Sequence, residues 1–206
     1  MKPTTDPSKK QTAVALYGGS FDPVHRAHLA VARTVLQTGA VERVVFIPAA
    51  QSPLKSSSAL ADDASRLQML HLATQGESGF SVDDCELQRG GTSYTLDTVR
   101  AYAAAHPGTA LHWIIGGDQL ELLPRWRGIQ ELVSRVGFIG LRRPGYATRA
   151  PEIPGLRYLE VDAPLMEHRS SAIREHIAAG RSAGDWLPPA VEAFIYAHGL
   201  YTRKPS

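Results

Sequence analysis

Polar and apolar positions alternate between two periods along this chain. Short continuous apolar runs at 13–17, 43–48, 111–115 and 136–141 predict strands, Val44-Val45-Phe46-Ile47 being the strongest. Weaker runs at 80–87 and 156–161 predict a third and a sixth strand in chain order. Between the strands, apolar residues recur at helical spacing over 26–37, 62–74, from the Thr92-Ser93 pair to about 106, and 126–133. Two further helices, 170–179 and 188–198, close the pattern. Thr38-Gly39 stops the first helix, Thr92 or Ser93 is the expected N-cap of the third segment, and a proline pair opens the last.

Strands that alternate with helices imply βαβ units, right-handed crossovers and a mostly parallel sheet, an α/β fold. Ligands in such sheets sit beyond the carboxyl ends of the strands, where the strand order reverses. The informative loops all follow strands: Gly18-Gly19, the polar loop 49–58 with Lys55, Gly116-Gly117-Asp118, and Arg143. They are expected to converge on one crevice. The proline-rich stretch 144–155 is long enough to form a mobile flap.

Composition narrows the class. With 206 residues, 43% of them hydrophobic, the chain can bury one full core, so a single domain over 12–202 is expected behind a polar, disordered tail at 1–11. A net charge of +2 gives no basic stripe for nucleic acid. No stretch approaches the roughly 18 apolar residues of a membrane span. Cys85, the lone cysteine, cannot form an internal disulfide, which points to a reducing compartment and the cytoplasm.

The chemistry starts at Gly18-Gly19-Ser20-Phe21-Asp22-Pro23-Val24-His25-Arg26-Ala27-His28. A strand, a glycine turn and a helix start make a phosphate site, because the first helical N–H groups and the dipole favour an anion. His25 and His28, three residues apart, share one face of that first turn and suit hydrogen bonding to phosphate oxygens. Zinc is not expected, since no third ligand is spaced near them. Asp22 reads equally as a helix cap. Lys55 would be a flexible point charge near a polyphosphate. Arg169-Ser170-Ser171-Ala172-Ile173-Arg174 offers hydroxyls, helix N–H groups and a guanidinium, a second anion site. The sequence contains no G-x-x-x-x-G-K-[ST], no third glycine of G-x-G-x-x-G, and no G-x-S-x-G.

The glycine stretch resembles the G-G-[ST]-F-D-P-x-H-x-G-H signature of the nucleotidyltransferase superfamily with the H-x-G-H motif. Glu86-Leu87-Gln88-Arg89-Gly90-Gly91-Thr92-Ser93-Tyr94-Thr95-Leu96-Asp97-Thr98 is similar to the E-L-x-R-x-G-x-S-Y-T-x-D-T block of bacterial nicotinate-nucleotide adenylyltransferases. Ile114 to Asp118, Leu123 to Trp126, Arg143-Pro144-Gly145 and the Ser170-Ser171 helix start look like further segments of that family. The resemblance covers about 13–201 and implies a Rossmann-like parallel sheet with helices on both faces and a helical C-terminal end. It implies adenylyl transfer from ATP to nicotinate mononucleotide, giving deamido-NAD and pyrophosphate, with Mg²⁺ held by the ATP phosphates rather than by protein side chains.

Carried over by position, His25, His28, Lys55 and Arg174 serve the reacting phosphates. Gly18, Gly19, Ser20, Phe21, Gly116, Asp118, Ser170 and Ser171 would hold ATP, while Thr95, Trp126, Arg127 and Arg143 would hold the nicotinate nucleotide. Arg127 stands where the family often has an aromatic and is expected to favour the nicotinate carboxylate over an uncharged amide. Ala27 stands where the family usually has glycine. The alternatives are the same transfer to pantetheine phosphate or nicotinamide mononucleotide, and a non-catalytic nucleotide-binding module. Neither nucleic acid nor membrane is an expected partner, and formation of a homo-oligomer is left open.

Overall fold

The computed structural model describes residues 12–53, 59–142, 150–162 and 169–202, apart from the side chain of Asp118. The predicted tail at 1–11, Lys55, Arg143 and the first half of the expected flap, 144–149, lie outside the described residues.

The chain begins with β1 (Ala13–Gly19), α1 (Arg26–Gln37) and β2 (Arg43–Pro48), then α2 (Asp63–Thr74) and β3 (Phe80–Val82). Next come α3 (Cys85–Arg89), α4 (Thr95–Ala105), β4 (Ala110–Gly116), the short α5 (Gly117–Leu120) and a 3-10 turn, Leu123–Arg125. α6 (Ile129–Arg135), β5 (Val136–Arg142), β6 (Tyr158–Asp162), α7 (Ser170–Ala178) and α8 (Pro189–Ala197) complete it. Among the described residues the strands form one sheet in the order β3-β2-β1-β4-β5-β6, every neighbouring pair parallel. The expected α/β class with a parallel sheet is the observed one.

β1 is central, and its side chains alternate between two cores as strand geometry requires. Ala15 faces a cluster with Val35, Phe46, Met69, Ile173 and Val191, so α1, α2, α7 and α8 cover that face. Val14 and Leu16 face the other, with Val99, Leu132 and Phe138 beneath α4 and α6. α1 buries Leu29, Val31, Ala32 and Val35 and ends at Thr38, before Gly39 at φ 69°. α2 starts where Asp62 caps it, its carboxylate accepting the Ser65 N–H at 2.7 Å. The chain steps outward from β1 to β3, then returns to place β4 on the other side of β1. The carboxyl ends of β1 and β4 therefore flank the point where strand order reverses.

Two expectations need correction. The run 80–87 is strand only to Val82: the Asp83 carboxylate accepts the Cys85 N–H at 2.9 Å, which turns the chain into α3. The third predicted helical segment, observed as α4, is not capped by Thr92 or Ser93. Tyr94 takes the N-cap position, because the Ser93 hydroxyl accepts the Ala50 N–H at 3.0 Å and its N–H donates to Gln51 O at 2.8 Å. The short α5 and the 3-10 turn were unread, having too few residues to show a period.

Candidate active site

The glycine loop is held in an unusual shape from three sides. Gly18 has no room for a side chain, since a Cβ there would stand 2.5 Å from Cζ2 of Trp113 on β4. Phe21 adopts φ 45°, a left-handed conformation rare for a bulky residue. Its buried ring packs edge-on against Tyr17, Phe46 and His28 at centroid distances of 5.5, 5.6 and 5.0 Å. The following peptide bond, Asp22-Pro23, is cis.

Asp22 does not cap α1. It is 4% exposed, and its carboxylate accepts the Leu60 N–H (2.8 Å), the Ala61 N–H (3.1 Å) and the Tyr201 hydroxyl (2.7 Å). Burial, and then the Asp22 carboxylate, raise the Tyr201 hydroxyl well above the ordinary tyrosine range, so it remains a donor at neutral pH. Arg174 on α7 donates to the Asp22 carbonyl at 2.7 Å, and the Ser170 hydroxyl donates to the Pro23 carbonyl at 3.1 Å. From α2, fully buried Arg66 donates to the Ser20 carbonyl at 2.7 Å and to Asp63 at 2.6 Å. Removing one partner from such a buried charged group is costly, so the loop is clamped by α2, by α7 and by the chain near Tyr201.

At the end of the loop His25 is the N-cap of α1 and His28 its third residue. Their rings stack at 3.7 Å between centroids, tilted by 29°. The His25 N–H donates to Nδ1 of His28 at 3.2 Å. While Nδ1 accepts that bond it carries no proton, so the His28 ring bears its proton on Nε2. The first turn of α1 has no acidic residue, which leaves its positive dipole end unopposed.

A cavity of about 680 Å³ lies at the carboxyl ends of β1 and β4. Gly18, Gly19, Ser20 and Gly116 form one wall, and Thr95, Trp126 and Arg127 another. Thr95 is the first residue of α4, whose opening N–H groups have no partner within the helix. Trp126 packs edge-on against Phe138 at 6.4 Å, and its indole Nε1 is buried with no hydrogen-bond partner among the described residues. Arg127 is on the rim, 58% exposed, its guanidinium 4.6 Å above the Tyr94 ring and 3.4 Å from Asp97.

The predicted site residues thus fall into two groups, one lining the cavity and one at the starts of α1 and α7. Gly18, Gly19, Ser20, Gly116, Thr95, Trp126 and Arg127 line the cavity. His25, His28, Ser170 and Arg174 lie at the starts of α1 and α7, where Ser170 and Arg174 bond to the loop and His28 packs against Phe21 and the cavity-lining Tyr17, with Ser171 exposed in the first turn of α7. Phe21 lies beneath the loop and supports Gly19, whose added Cβ would meet the ring at 3.0 Å. Asp118 belongs to the first turn of α5, its side chain outside the described set. Among the described residues, no group of three or more His, Cys, Asp or Glu could hold a metal ion, and no helix is long and apolar enough to cross a membrane.

Sequence reasoning missed Asp22 as a hub, Arg66, Tyr201, and the buried pair Glu86 and Thr98 beside the cavity. Nothing local signals the first three: Asp22 and Tyr201 pair over 179 residues, and Arg66 reaches the Ser20 carbonyl over 46. Burial raises the Glu86 carboxyl above the usual carboxylate range, an effect opposed by hydrogen bonds from Thr98 and Ser93. Cys85 is pushed up to about 12, first by burial and then by the Asp83 carboxylate, so its thiol is inert at neutral pH.

Comparison with known proteins agrees with this arrangement. The cytidylyltransferase-like family model matches residues 16–176. A protein of Opitutus terrae named "Probable nicotinate-nucleotide adenylyltransferase" is 39% identical over 194 residues, covering 94% of this chain and 98% of its own. A protein of the same name from Geobacillus kaustophilus is 37% identical over 188 residues, 91% of this chain and 85% of its own. Among solved structures, Plasmodium falciparum nicotinic acid mononucleotide adenylyltransferase complexed with NaAD superposes with a TM-score of 0.76 at 18% identity. That superposition covers 92% of this chain and 97% of the other, and shows a shared fold. The chain belongs to the cytidylyltransferase-like family and, within it, to the nicotinate-nucleotide adenylyltransferases.

Proposed function

We propose that this chain transfers the adenylyl group of ATP to nicotinate mononucleotide, releasing pyrophosphate and forming deamido-NAD, a step of NAD biosynthesis. The observation that supports this reading most is the shared cavity. Its walls join the glycine loop, suited to phosphate, with the Thr95 helix start and the Trp126 ring, suited to a pyridine carrying a carboxylate. The relatives' names agree with it.

In this reading a phosphate oxygen of the mononucleotide attacks the α-phosphorus of ATP in line. A P–O bond forms to the acceptor, the bond to the bridging oxygen breaks, and pyrophosphate leaves with the electron pair. No covalent enzyme intermediate is needed, so the protein contributes position and charge stabilisation. His28 Nε2–H and the start of α1 face the developing phosphoryl charge, together with His25. Lys55, Ser170, Ser171 and Arg174 hold the polyphosphate; Arg174 keeps guanidinium hydrogens beyond the one given to Asp22. Arg143 and Arg127 balance the acceptor's charge.

Mg²⁺ fits as a passenger on the triphosphate, where it would neutralise phosphate charge. The carboxylate nearest the loop, Asp22, already accepts three hydrogen bonds. We place the reaction in the cytoplasm, in line with the unpaired, inert Cys85 thiol.

Pyrophosphate release from ATP and Mg²⁺ tests the reading, with nicotinate mononucleotide, nicotinamide mononucleotide and pantetheine phosphate as separate acceptors. The nicotinate nucleotide should give the highest kcat/KM. Preference for pantetheine phosphate, or release with no acceptor, would overturn it.

A further inference from the structure

Glu86 sits in the cavity wall, is 3% exposed, and has no part in the phosphate chemistry. Its carboxylate accepts the hydroxyl hydrogens of two residues, Thr98 and Ser93. Each hydroxyl has one hydrogen to give, so each oxygen is left to accept. The Ser93 oxygen accepts the Ala50 N–H at 3.0 Å, and the fully buried Thr98 oxygen accepts an Arg89 guanidinium N–H at 3.0 Å. Every bond in this chain runs one way, and the direction holds when Glu86 is an ionised acceptor with Arg89 at its outer end.

The positions of the two hydroxyls matter. Ser93 precedes the Tyr94 cap and Thr98 lies in the first turns of α4, so the carboxylate grips both ends of the segment that carries Thr95. Through Ser93 the same carboxylate is tied to the loop that leaves β2, by the Ser93 N–H to Gln51 O bond and the bridge between Gln51 and Thr92. Nothing in these bonds touches the Asp22 hub, which orders the phosphate side independently.

We propose that Glu86 is the positioning residue of the acceptor subsite: it acts through Ser93 and Thr98 to aim the start of α4 at the pyridine nucleotide. The inference rests on the function proposed above and adds to it the group that sets acceptor affinity separately from ATP affinity. Glu86→Gln keeps the shape but removes the negative charge and replaces one of the two acceptor oxygens by a donor. Thr98→Val removes one hydroxyl at nearly constant shape, and Thr98→Ser restores it.

The test is steady-state kinetics of pyrophosphate release on the full chain, varying nicotinate mononucleotide and ATP in turn. Glu86→Gln and Thr98→Val should raise KM for the mononucleotide by about tenfold or more, the scale of a lost buried hydrogen bond to a charged group. KM for ATP should change by less than about twofold, since the phosphate side is untouched. Thr98→Ser should return KM for the mononucleotide towards that of the unaltered chain. If Glu86→Gln does not fold, the Thr98 pair decides alone. Equal rises in both KM values, or no recovery in Thr98→Ser, would overturn the inference and leave the proposed function standing. An unaltered chain that turns over no nicotinate mononucleotide would overturn both.

Discussion

Asp22→Asn tests the claim that the glycine loop is held by one buried carboxylate. In the parent chain Oδ1 accepts Ala61 N–H and Tyr201 O–H, while Oδ2 accepts Leu60 N–H. Asparagine offers one oxygen and one NH₂. With the oxygen at the Oδ1 place, its NH₂ opposes the Leu60 N–H; flipped, it opposes the Ala61 N–H. Either way a buried donor loses its acceptor, at about 1–3 kcal/mol. Lost attraction to Arg174, 3.7 Å from Oδ2, adds to this, and the total comes to roughly 2–4 kcal/mol. For a chain of this length each kcal/mol moves Tm by about 2–4 °C, so a fall of roughly 4–16 °C is expected. Circular dichroism melts, checked by guanidinium unfolding with an unchanged slope, measure it. Asp22→Ala, which strands all three donors, should fall further. A loss under about 1 kcal/mol in the asparagine variant would refute the hub.

The remaining predictions concern the two sides of the loop. His28→Ala should lower kcat by on the order of a hundredfold or more, the scale of a lost transition-state donor; a nearly unchanged kcat would remove its assigned role. Gly18→Ala drives a methyl to 2.5 Å from the Trp113 ring and should cost about 1–3 kcal/mol in a denaturant titration, with no loss if the indole can step aside. Arg127→Ala should reduce the preference for nicotinate over nicotinamide mononucleotide, read as the ratio of the two kcat/KM values, and an unchanged ratio would discard the assignment.

What the sequence made legible followed from local order. The run 13–17 and the helix 26–37 could be read because their periods are regular and glycine marks their ends, and the observed β1 and α1 match them closely. The glycine turn ahead of a helix start was legible from the residues themselves, and the segments carrying Thr95 and Trp126, which line the cavity, from their resemblance to the family. Asp22 was half legible: its place at a helix start suggested a cap, but its partners Leu60, Ala61 and Tyr201 stand 38, 39 and 179 residues away. Arg66 looked like the polar face of an amphipathic helix, yet it is fully buried, its guanidinium donating to the Ser20 carbonyl across the fold and to Asp63 one turn back on α2. Glu86 was hidden inside an apparent strand, since one Asp83 side-chain bond to the Cys85 N–H decides between strand and helix there. Long-range hydrogen bonds leave no period in a sequence.

The bond from Tyr201 to Asp22 also has a meaning in time. The two residues are separated by 179 positions, and a ribosome adds roughly 5–20 residues per second. Asp22 is therefore made about 9–36 seconds before its hydroxyl partner exists. During that interval the first strands and helices can pair, but the Asp22 carboxylate in the glycine loop lacks one of its three donors. The glycine loop is thus among the first segments made and among the last to receive all its hydrogen bonds.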